Sequence, residues 1–438
     1  MKKALCLIIL VATLILLVAC GTANNTGGDS ASPAADNDTA QTANGGGTND
    51  SASADQTVIR FSMWDVVDDS VNFLVAFHAA NPDIRIELVN PDATEYSTII
   101  NTMVVGNTAP DVILAWEVDL PRFARNGTIL PLDDRIAASD LVDVSDIMPA
   151  VDELAKMTDG IYGIPWVYAS HFVYYNKDMF DAAGVEYPTE DWTWQDMEDA
   201  AVALTIRDGG NTTQWGMNPI PFGGVWYSLI GAAGDDVVDT NLRFSMGPGL
   251  RRTLEFFDRM TNELEVMPQP GIEGNLFEAE MAAMRMMGNW EIPLYSEAPF
   301  NWDMISMPRD ARKFQSLHTG MFTINAASEH PDEAWRFIEF LMSHEGQTLL
   351  SEFSANPSVI MSVAAEGPHF VQGQHGPSNW DAFKAFNDYG RFTYTLLNPA
   401  VTGDLAGQFD AVLLGLTTID NVVNVEVPAA QARQDSLD

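Results

Sequence analysis

Short apolar strands alternate with amphipathic helices in the first part of the chain that can fold, and this order limits the folds open to it. Residues 58–64, 84–89 and 111–116 are predicted strands, because they alternate apolar and polar side chains or form short apolar runs. Residues 68–80 and 96–105, between them, have the apolar spacing of helices. A β-α-β-α-β order predicts an α/β fold with a largely parallel sheet.

Aromatic and acidic side chains follow two of these predicted strands at their carboxyl ends. Trp64 and Asp65 close the first strand, and Trp116, Glu117 and Asp119 close the third. Ligands of parallel α/β sheets bind beyond these strand ends. We therefore predict that these side chains line a ligand site, the alternative for each of them being packing in the core or at a hinge.

The first 19 residues have the layout of a secretory signal peptide. Lys2 and Lys3 precede an almost unbroken apolar run up to Val18, and the small residue Ala19 stands before Cys20. About fifteen apolar residues are too few to span a bilayer comfortably. The ending resembles a bacterial lipobox, which implies that Cys20 receives a diacylglycerol and becomes the first mature residue. The alternative is an ordinary cleaved signal followed by a chance cysteine.

Neither of the two cysteines is then available for a disulfide, a zinc site or a nucleophile. Cys6 lies in the predicted signal, and lipidation would consume Cys20. Residues 20–57 after the cut comprise this cysteine and a tether of Gly, Ala, Ser, Thr, Asn, Asp and Gln with one Pro, a composition that predicts a flexible coil. We expect a folded body that begins at Val58 and is held at the extracellular face of the cell membrane by lipid alone.

The charge of the chain excludes some partners. The sequence has 61 acidic and 22 basic residues, which gives a formal net charge of −39. Nucleic acid and anionic lipid surfaces would be repelled, so we expect no nucleic-acid partner. A highly anionic ligand is disfavoured for the same reason.

Several segments, in one order along the chain, carry a resemblance to a known family. They are Trp64 and residues 106–113, 127–133, 160–184, 277–290 and 330–335. The strongest, residues 160–184, begins Gly-Ile-Tyr-Gly-Ile-Pro and continues to Tyr-Tyr-Asn-Lys-Asp-Met-Phe. Together the segments resemble the extracellular solute-binding proteins of bacterial ABC importers, in the sugar-binding branch related to maltose-binding protein.

This resemblance implies a two-lobed α/β fold with a ligand cleft and a hinge. By analogy, one lobe contains residues 58–165 and 320–360, and the other contains residues 166–319 and 361–430. The resemblance further implies a monomer that captures a sugar or oligosaccharide and delivers it to the permease subunits of the transporter. We expect no cofactor and no metal.

A sugar site needs aromatic platforms for C–H faces and polar groups for hydroxyls. The resemblance matches Trp64 and Trp290 to positions that commonly stack on ligand in the family, and Asp119 to a polar contact. Trp226, Tyr227 and Trp290 are expected in loops or at strand ends. The full set of predicted ligand-binding residues is Trp64, Asp65, Trp116, Glu117, Asp119, Tyr168, His171, Trp226, Tyr227, Asn289, Trp290, Glu291 and His318.

Two other functions remain open at this point. A surface-anchored, glycoside-active enzyme would need two carboxylates at a fixed separation, and 61 acids always offer candidates. The ordered resemblance and the lack of a recognisable catalytic motif argue against an enzyme, and we predict no catalytic residues. A solute-binding receptor that feeds a sensor kinase would share both the fold and the site.

Overall fold

The computed structural model describes residues 56–64, 70–91, 96–148, 159–272, 274–354, 356–367, 375–384 and 388–437. The predicted signal peptide, the lipid anchor Cys20, the tether up to residue 55 and the site residue Asp65 lie outside the described residues.

Most strands of the described chain belong to two five-stranded sheets. The strands are β1 (Thr57–Ser62), β2 (Ile84–Val89), β3 (Val112–Trp116), β4 (Ile164–Pro165), β5 (His171–Asn176), β6 (Ile206–Asp208), β7 (Asn211–Met217), β8 (Val237–Val238), β9 (Phe244–Ser245), β10 (Ala282–Gly288), β11 (Trp302–Ser306), β12 (Gln315–Ser316), β13 (Gly320–Ile324) and β14 (Gly390–Arg391).

Helices connect these strands and cover the sheets. The α-helices are α1 (Asn72–Ala80), α2 (Tyr96–Val105), α3 (Leu120–Arg125), α4 (Asp133–Ala138), α5 (Lys177–Ala183), α6 (Trp194–Leu204), α7 (Gly223–Ala232), α8 (Pro248–Asp258), α9 (Pro331–Leu341), α10 (His344–Ser354), α11 (Met361–Ala364), α12 (Pro399–Leu413), α13 (Ile419–Asn421) and α14 (Val427–Asp435). Short 3₁₀ turns occur at Val144–Asp146, Asn289–Tyr295, Trp380–Lys384 and Tyr394–Leu396, and π turns at Arg259–Glu263 and Val422–Glu426.

The first sheet has the strand order β2-β1-β3-β13-β4 and forms the first lobe. Strand β1 pairs in parallel with both β2 and β3, which confirms the predicted β-α-β-α-β unit. The chain moves from β1 to β2 on one side and then back to β3 on the other. This change of direction opens a crevice beyond the carboxyl ends of β1 and β3.

The second sheet has the order β11-β5-β10-β7-β6 and forms the second lobe. Its central strands β5 and β10 run antiparallel, from Tyr175 opposite Met284 to His171 opposite Gly288. Helix α6 starts with a capping box in which Thr193 and Asp196 exchange side-chain and backbone hydrogen bonds. Such a cap satisfies two backbone N–H groups at the helix start.

Two apolar cores support these sheets. One surrounds the first sheet and continues onto one face of the second, where Tyr174 and Trp302 lie. The other fills the space between the opposite face of the second sheet and its helices, with Trp226 and Phe409 among its members. The two sheets, the helices that cover them and these cores give the two-lobed α/β architecture that the resemblance implies.

Three chain segments run side by side between the two lobes. Val167 forms a bridge with Ser358, and Ala169 forms one with His318. The chain thus leaves the first sheet after β4 and returns to it before β13. Helix α11 still packs against the first lobe, where the backbone N–H of Ser362 donates to Asp146 Oδ1 at 3.1 Å.

Candidate functional site

Two tryptophans form a stacked pair at the crevice of the first lobe. Trp64 follows β1 and Trp116 ends β3, and the two indole centroids are 4.0 Å apart with an interplanar angle of 8°. Tyr96 and Trp166 contact the Trp64 ring edge to face. Trp64 is buried, whereas Trp116 keeps part of its surface exposed. The partly exposed indole can offer an apolar face to a ligand.

A glycine makes room for this pair. Gly320 begins β13, and a Cβ added to it would lie 2.5 Å from Cη2 of Trp64 and 2.9 Å from the Leu114 side chain. Any larger residue would therefore displace the Trp64 indole or the strand beneath it. The close approach of backbone and ring requires glycine here.

The second lobe presents its own exposed aromatic ring. Trp290 lies in the 3₁₀ turn after β10 and is 37% exposed. Its ring folds back over Gly288, where an added Cβ would overlap it. Phe222 and His318 contact the indole edge to face, each with ring centroids 5.6 Å away. The strand end and these neighbours hold Trp290 in one orientation.

Two buried histidines, His171 and His318, contact the Trp290 ring. His171 Nε2 and His318 Nε2 are 3.2 Å apart, and His171 Nδ1 lies 2.8 Å from the Ser228 hydroxyl. The Tyr394 hydroxyl lies 3.2 Å from His318 Nε2. Burial lowers the pKa of His318 to about 3 and the pKa of His171 well below its usual value. Both imidazoles are therefore neutral at pH 7, and they act as hydrogen-bonding groups without charge.

Glu117 is a buried acid next to the stacked pair. It is 1% exposed, and its Oε1 accepts a hydrogen bond of 3.3 Å from the backbone N–H of Thr319. Its Oε2 has no hydrogen-bond partner among the described residues. Burial raises the pKa of Glu117 to about 8, and the negative charge of Asp119 acts in the same direction. The carboxyl group is therefore mainly protonated at pH 7.

Asp119 lies at the start of α3 and is already paired. Arg122 donates to its Oδ1 at 2.5 Å, and the Ser97 hydroxyl donates to its Oδ2 at 3.0 Å. Arg122 also donates to the Asn101 side chain. Asp119 is 8% exposed, so a ligand would meet a neutralised pair here and not a free carboxylate.

Two further predicted residues, Asn289 and Tyr168, make contacts between the chain segments that cross from one lobe to the other. Asn289 is fully buried, accepts a hydrogen bond from the backbone N–H of Ser170 at 2.8 Å, and donates to Asn356. Tyr168 is also buried, and its ring packs against Phe392. Both lie at the crossing between the lobes.

Glu291 forms a bidentate ion pair on the second lobe. Arg285 donates to its two carboxylate oxygens at 2.7 and 2.6 Å, and the Tyr295 hydroxyl donates at 2.7 Å. Arg285 is 5% exposed. The charges of Arg285 and Glu291 thus neutralise each other within the protein, which is the arrangement of an ion pair that stabilises the fold.

Trp226 and Tyr227 are not in a loop or at a strand end, so that part of the sequence prediction is wrong. Both lie in α7 and are buried in the second core. The Trp226 indole N–H donates to Asp410 Oδ1 at 3.1 Å, and the Tyr227 ring stacks on Tyr394 with centroids 4.4 Å apart. Their polar atoms are satisfied inside the lobe, which favours packing over ligand contact.

The described residues contain neither a candidate metal-binding cluster nor a helix that could span a membrane. No three His, Cys, Asp or Glu side chains among them lie close enough together to hold a metal ion. Within the same residues, no helix is long and apolar enough to cross a membrane.

The profile of the bacterial extracellular solute-binding protein family matches residues 72–398. The chain belongs to this family. Both the family and the fold class predicted from the sequence are thereby confirmed, and solute binding is the function of the family.

Individual relatives match this chain at low sequence identity, and two solved structures share its fold. A lipoprotein of Streptomyces antibioticus described as uncharacterised is 26% identical over 286 residues, which is 61% of this chain and 61% of that protein. An ABC substrate-binding protein from Listeria monocytogenes, solved with cycloalternan, is 22% identical with a TM-score of 0.75 over 87% of this chain and 100% of that one. The sugar-binding protein MalE of Xanthomonas citri is 22% identical with a TM-score of 0.71, over 87% and 97%.

In this solute-binding protein, the structure gathers the predicted residues into two groups. Trp64, Trp116 and Glu117 lie at the crevice of the first lobe, and Trp290, His171 and His318 lie together on the second. Their role as ligand contacts stays a prediction.

Three aromatic residues that contact these groups are not in the predicted set: Trp166, Phe222 and Tyr394. Trp166 could have been found, because it follows the Gly-Ile-Pro segment at the expected crossing. Phe222 and Tyr394 have no motif around them.

Proposed function

We propose that this protein captures a carbohydrate outside the cell and delivers it to the permease of an ABC importer. The observation that carries the proposal is the pair of aromatic groups, Trp64 on Trp116 in the first lobe and Trp290 in the second. Both groups stand at carboxyl ends of strands, where α/β sheets bind ligands. Aromatic faces on two lobes suit the apolar faces of sugar rings.

The charges around these groups support a neutral ligand. Arg122 is paired with Asp119, and Arg285 is paired with Glu291. Neither guanidinium is therefore free to hold a phosphate or carboxylate. The Listeria relative was solved in complex with cycloalternan, and the Xanthomonas relative is described as sugar-binding, which agrees with a carbohydrate ligand here.

A thermal-shift screen with chromatographic recovery tests this proposal. A soluble form starting near residue 55 would be screened against cycloalternan, maltooligosaccharides, mannobiose and monosaccharides. Binding to the native state alone raises the melting temperature by mass action. We expect a shift with at least one saccharide, reduced in Trp116→Ala and Trp290→Ala but kept in Trp192→Ala, a partly buried tryptophan outside both groups. No shift across the panel would refute carbohydrate binding.

The same experiment separates binding from catalysis. We propose that the protein does not alter its ligand, in keeping with a family of solute-binding proteins. The saccharide recovered after prolonged incubation should be intact. Recovery of cleaved products would instead support the glycoside-active alternative.

Genetics separates import from sensing. Deletion of the gene should abolish uptake of the identified saccharide while leaving the transcriptional response to intracellular sugar intact. Normal uptake together with a lost transcriptional response would support the receptor that feeds a sensor kinase.

We further propose that Cys20 carries the lipid anchor. The support is the sequence before it and the description of the Streptomyces relative as a lipoprotein. Cells fed a labelled fatty acid should label the wild-type protein and not Cys20→Ser. The same variant should move from the membrane fraction to the medium, and retention on the membrane would contradict the proposal.

A further inference from the structure

Glu117 lies where the two lobes meet. Its backbone follows β3 of the first lobe, and its Oε1 accepts from the Thr319 N–H in the segment that returns from the second lobe. The Thr395 hydroxyl is close enough to Glu117 to favour its charged form. Burial is the main cause of the raised pKa of Tyr394, and the charge of Glu117 is the second. Tyr394 belongs to the second lobe, because its ring stacks on Tyr227 of α7.

The carboxyl group is sealed in this arrangement and incompletely hydrogen-bonded. Oε2 is buried and has no hydrogen-bond partner among the described residues. A buried carboxylate without full hydrogen bonding is costly, so the group stays protonated instead. A glutamate that is protonated when enclosed releases its proton when water reaches it.

The surrounding charged groups do not reverse this preference. On its own segment, Asp119 adds negative charge, and Arg122 is occupied by Asp119. From the second lobe, Tyr394 faces Glu117. The Tyr394 hydroxyl contacts His318, which contacts His171, and burial keeps both imidazoles neutral. Among the residues that the structure describes, none of those that act on the pKa of Glu117 carries a positive charge that would hold it ionised.

Hinge closure around a ligand is the characteristic movement of two-lobed binding proteins. Separation of the lobes would part Glu117 from Thr395 and Tyr394 and expose its carboxyl group to water. We propose that closure of the two lobes takes up one proton at Glu117, so that the pH outside the cell regulates how tightly ligand is held. The part that concerns ligand affinity rests on the proposed carbohydrate-binding function.

The direction of the pH effect on closure follows from the linkage between proton binding and ligand binding. Both bind the closed form more tightly, so each favours the binding of the other. Closure is most favourable below the ordinary pKa of a glutamate, and it weakens as pH rises towards about 8, the pKa of the enclosed group. Raising the pH therefore opens the lobes.

Solution scattering of the ligand-free protein tests the lobe movement without knowledge of the ligand. We expect the radius of gyration of the wild type to increase between pH 6 and pH 9. Glu117→Gln mimics the protonated acid and should stay at its pH 6 value, while Glu186→Gln, an exposed acid on the second lobe, should behave as wild type. A radius independent of pH in the wild type, or the same change in Glu117→Gln, would overturn the inference.

A second variant guards against a folding defect in the first. Burial is the main cause of the raised pKa of Glu117, and the negative charge of Asp119 adds to it. Asp119→Asn removes that charge and leaves Arg122 without its partner, so the midpoint of the scattering change should move to lower pH. An unchanged midpoint would count against Glu117 as the titrating group. Circular dichroism at pH 6 confirms that each variant is folded.

Calorimetry with cycloalternan then tests the ligand linkage. The affinity of the wild type should fall by up to about tenfold per pH unit between pH 6 and pH 8. Titrations in two buffers of different ionisation enthalpy should show uptake of one proton at most per ligand, and none in Glu117→Gln. Binding without proton uptake would refute the linkage. Absence of cycloalternan binding would count only against this saccharide as the ligand, and the scattering result would still decide the inference.

Discussion

The Trp64 indole lies flat on the Trp116 indole, with ring planes 8° apart. Trp64 is 7% exposed and is enclosed on its other sides by Tyr96 and Trp166. Trp116 lies at the open end of β3 and is only partly buried. The buried indole thus supports the outer one, and the two rings have different roles in stability.

Replacing each of these tryptophans by alanine should separate those roles. Trp64→Ala should lower the free energy of unfolding by about 3–5 kcal/mol, because it removes a buried ring and leaves a cavity. Trp116→Ala should lower it by about 1–2 kcal/mol, because it loses the stacking contact and only part of its burial. Urea denaturation of both variants measures the difference. Equal losses would show that Trp116 is as firmly built into the core as Trp64.

Gly320→Ala should destabilise the first lobe. The added methyl group would meet Cη2 of Trp64 at 2.5 Å and Leu114 at 2.9 Å, and overpacking of this kind costs about 1–3 kcal/mol. The tryptophan fluorescence of the variant should also shift, because the Trp64 indole must move. Thermal unfolding and emission spectra check both expectations.

Gly407→Ala provides the matched control for this substitution. Gly407 is exposed in the interior of α12, and an added Cβ would meet no atom within 4 Å. Alanine should therefore stabilise the helix by about 0.5–1 kcal/mol. If Gly320→Ala were neutral while Gly407→Ala stabilised, the Trp64 ring would have to be free to move aside.

The crevice of the first lobe was predictable because its signals are local. Strands β1 and β3 carry apolar runs that end in Trp64 and Trp116, and parallel strands meet with their carboxyl ends at one edge. Helix α2 was predicted with its observed bounds, Tyr96–Val105. Helix α1 begins at Asn72 rather than residue 68, because the backbone of Val71 before it is extended.

The second lobe shows where sequence patterns fail. Nine of the ten residues of α7 are buried, so the helix has no polar face and therefore no helical period in its sequence. Trp226 and Tyr227 could therefore not be distinguished from exposed aromatic residues. The stacking of Tyr227 on Tyr394 joins positions far apart in the chain, and no local pattern encodes such a contact.

The buried histidine pair should make the protein sensitive to acid. Burial lowers the pKa of His318 from 6.5 to about 3, so the unfolded chain binds a proton that the folded protein does not. This contribution to stability is complete above pH 6.5 and is lost as pH falls towards 3, at about 1.4 kcal/mol per pH unit. In His318→Gln, the free energy of unfolding should lose the pH dependence that His318 contributes and retain the part that His171 contributes.

Denaturant unfolding at pH 7, 6, 5 and 4 measures these slopes. His344→Gln is the control, because His344 is an exposed residue of the first lobe outside the pair. The control should keep the slope of the wild type. A wild-type slope in His318→Gln would mean that the imidazole takes up its proton in the folded protein.

The Arg285–Glu291 pair should contribute to stability and not to ligand affinity. Glu291→Ala would leave the 5% exposed Arg285 guanidinium without its bidentate partner. Removing one member of a buried ion pair costs about 3–5 kcal/mol, because the remaining charge stays desolvated. Arg285→Met in the same background removes that charge, so the double variant should be more stable than Glu291→Ala alone. Denaturation of the single and double variants gives the coupling energy. If Glu291→Ala instead abolished saccharide binding at unchanged stability, Glu291 would be a ligand contact, as the sequence predicts.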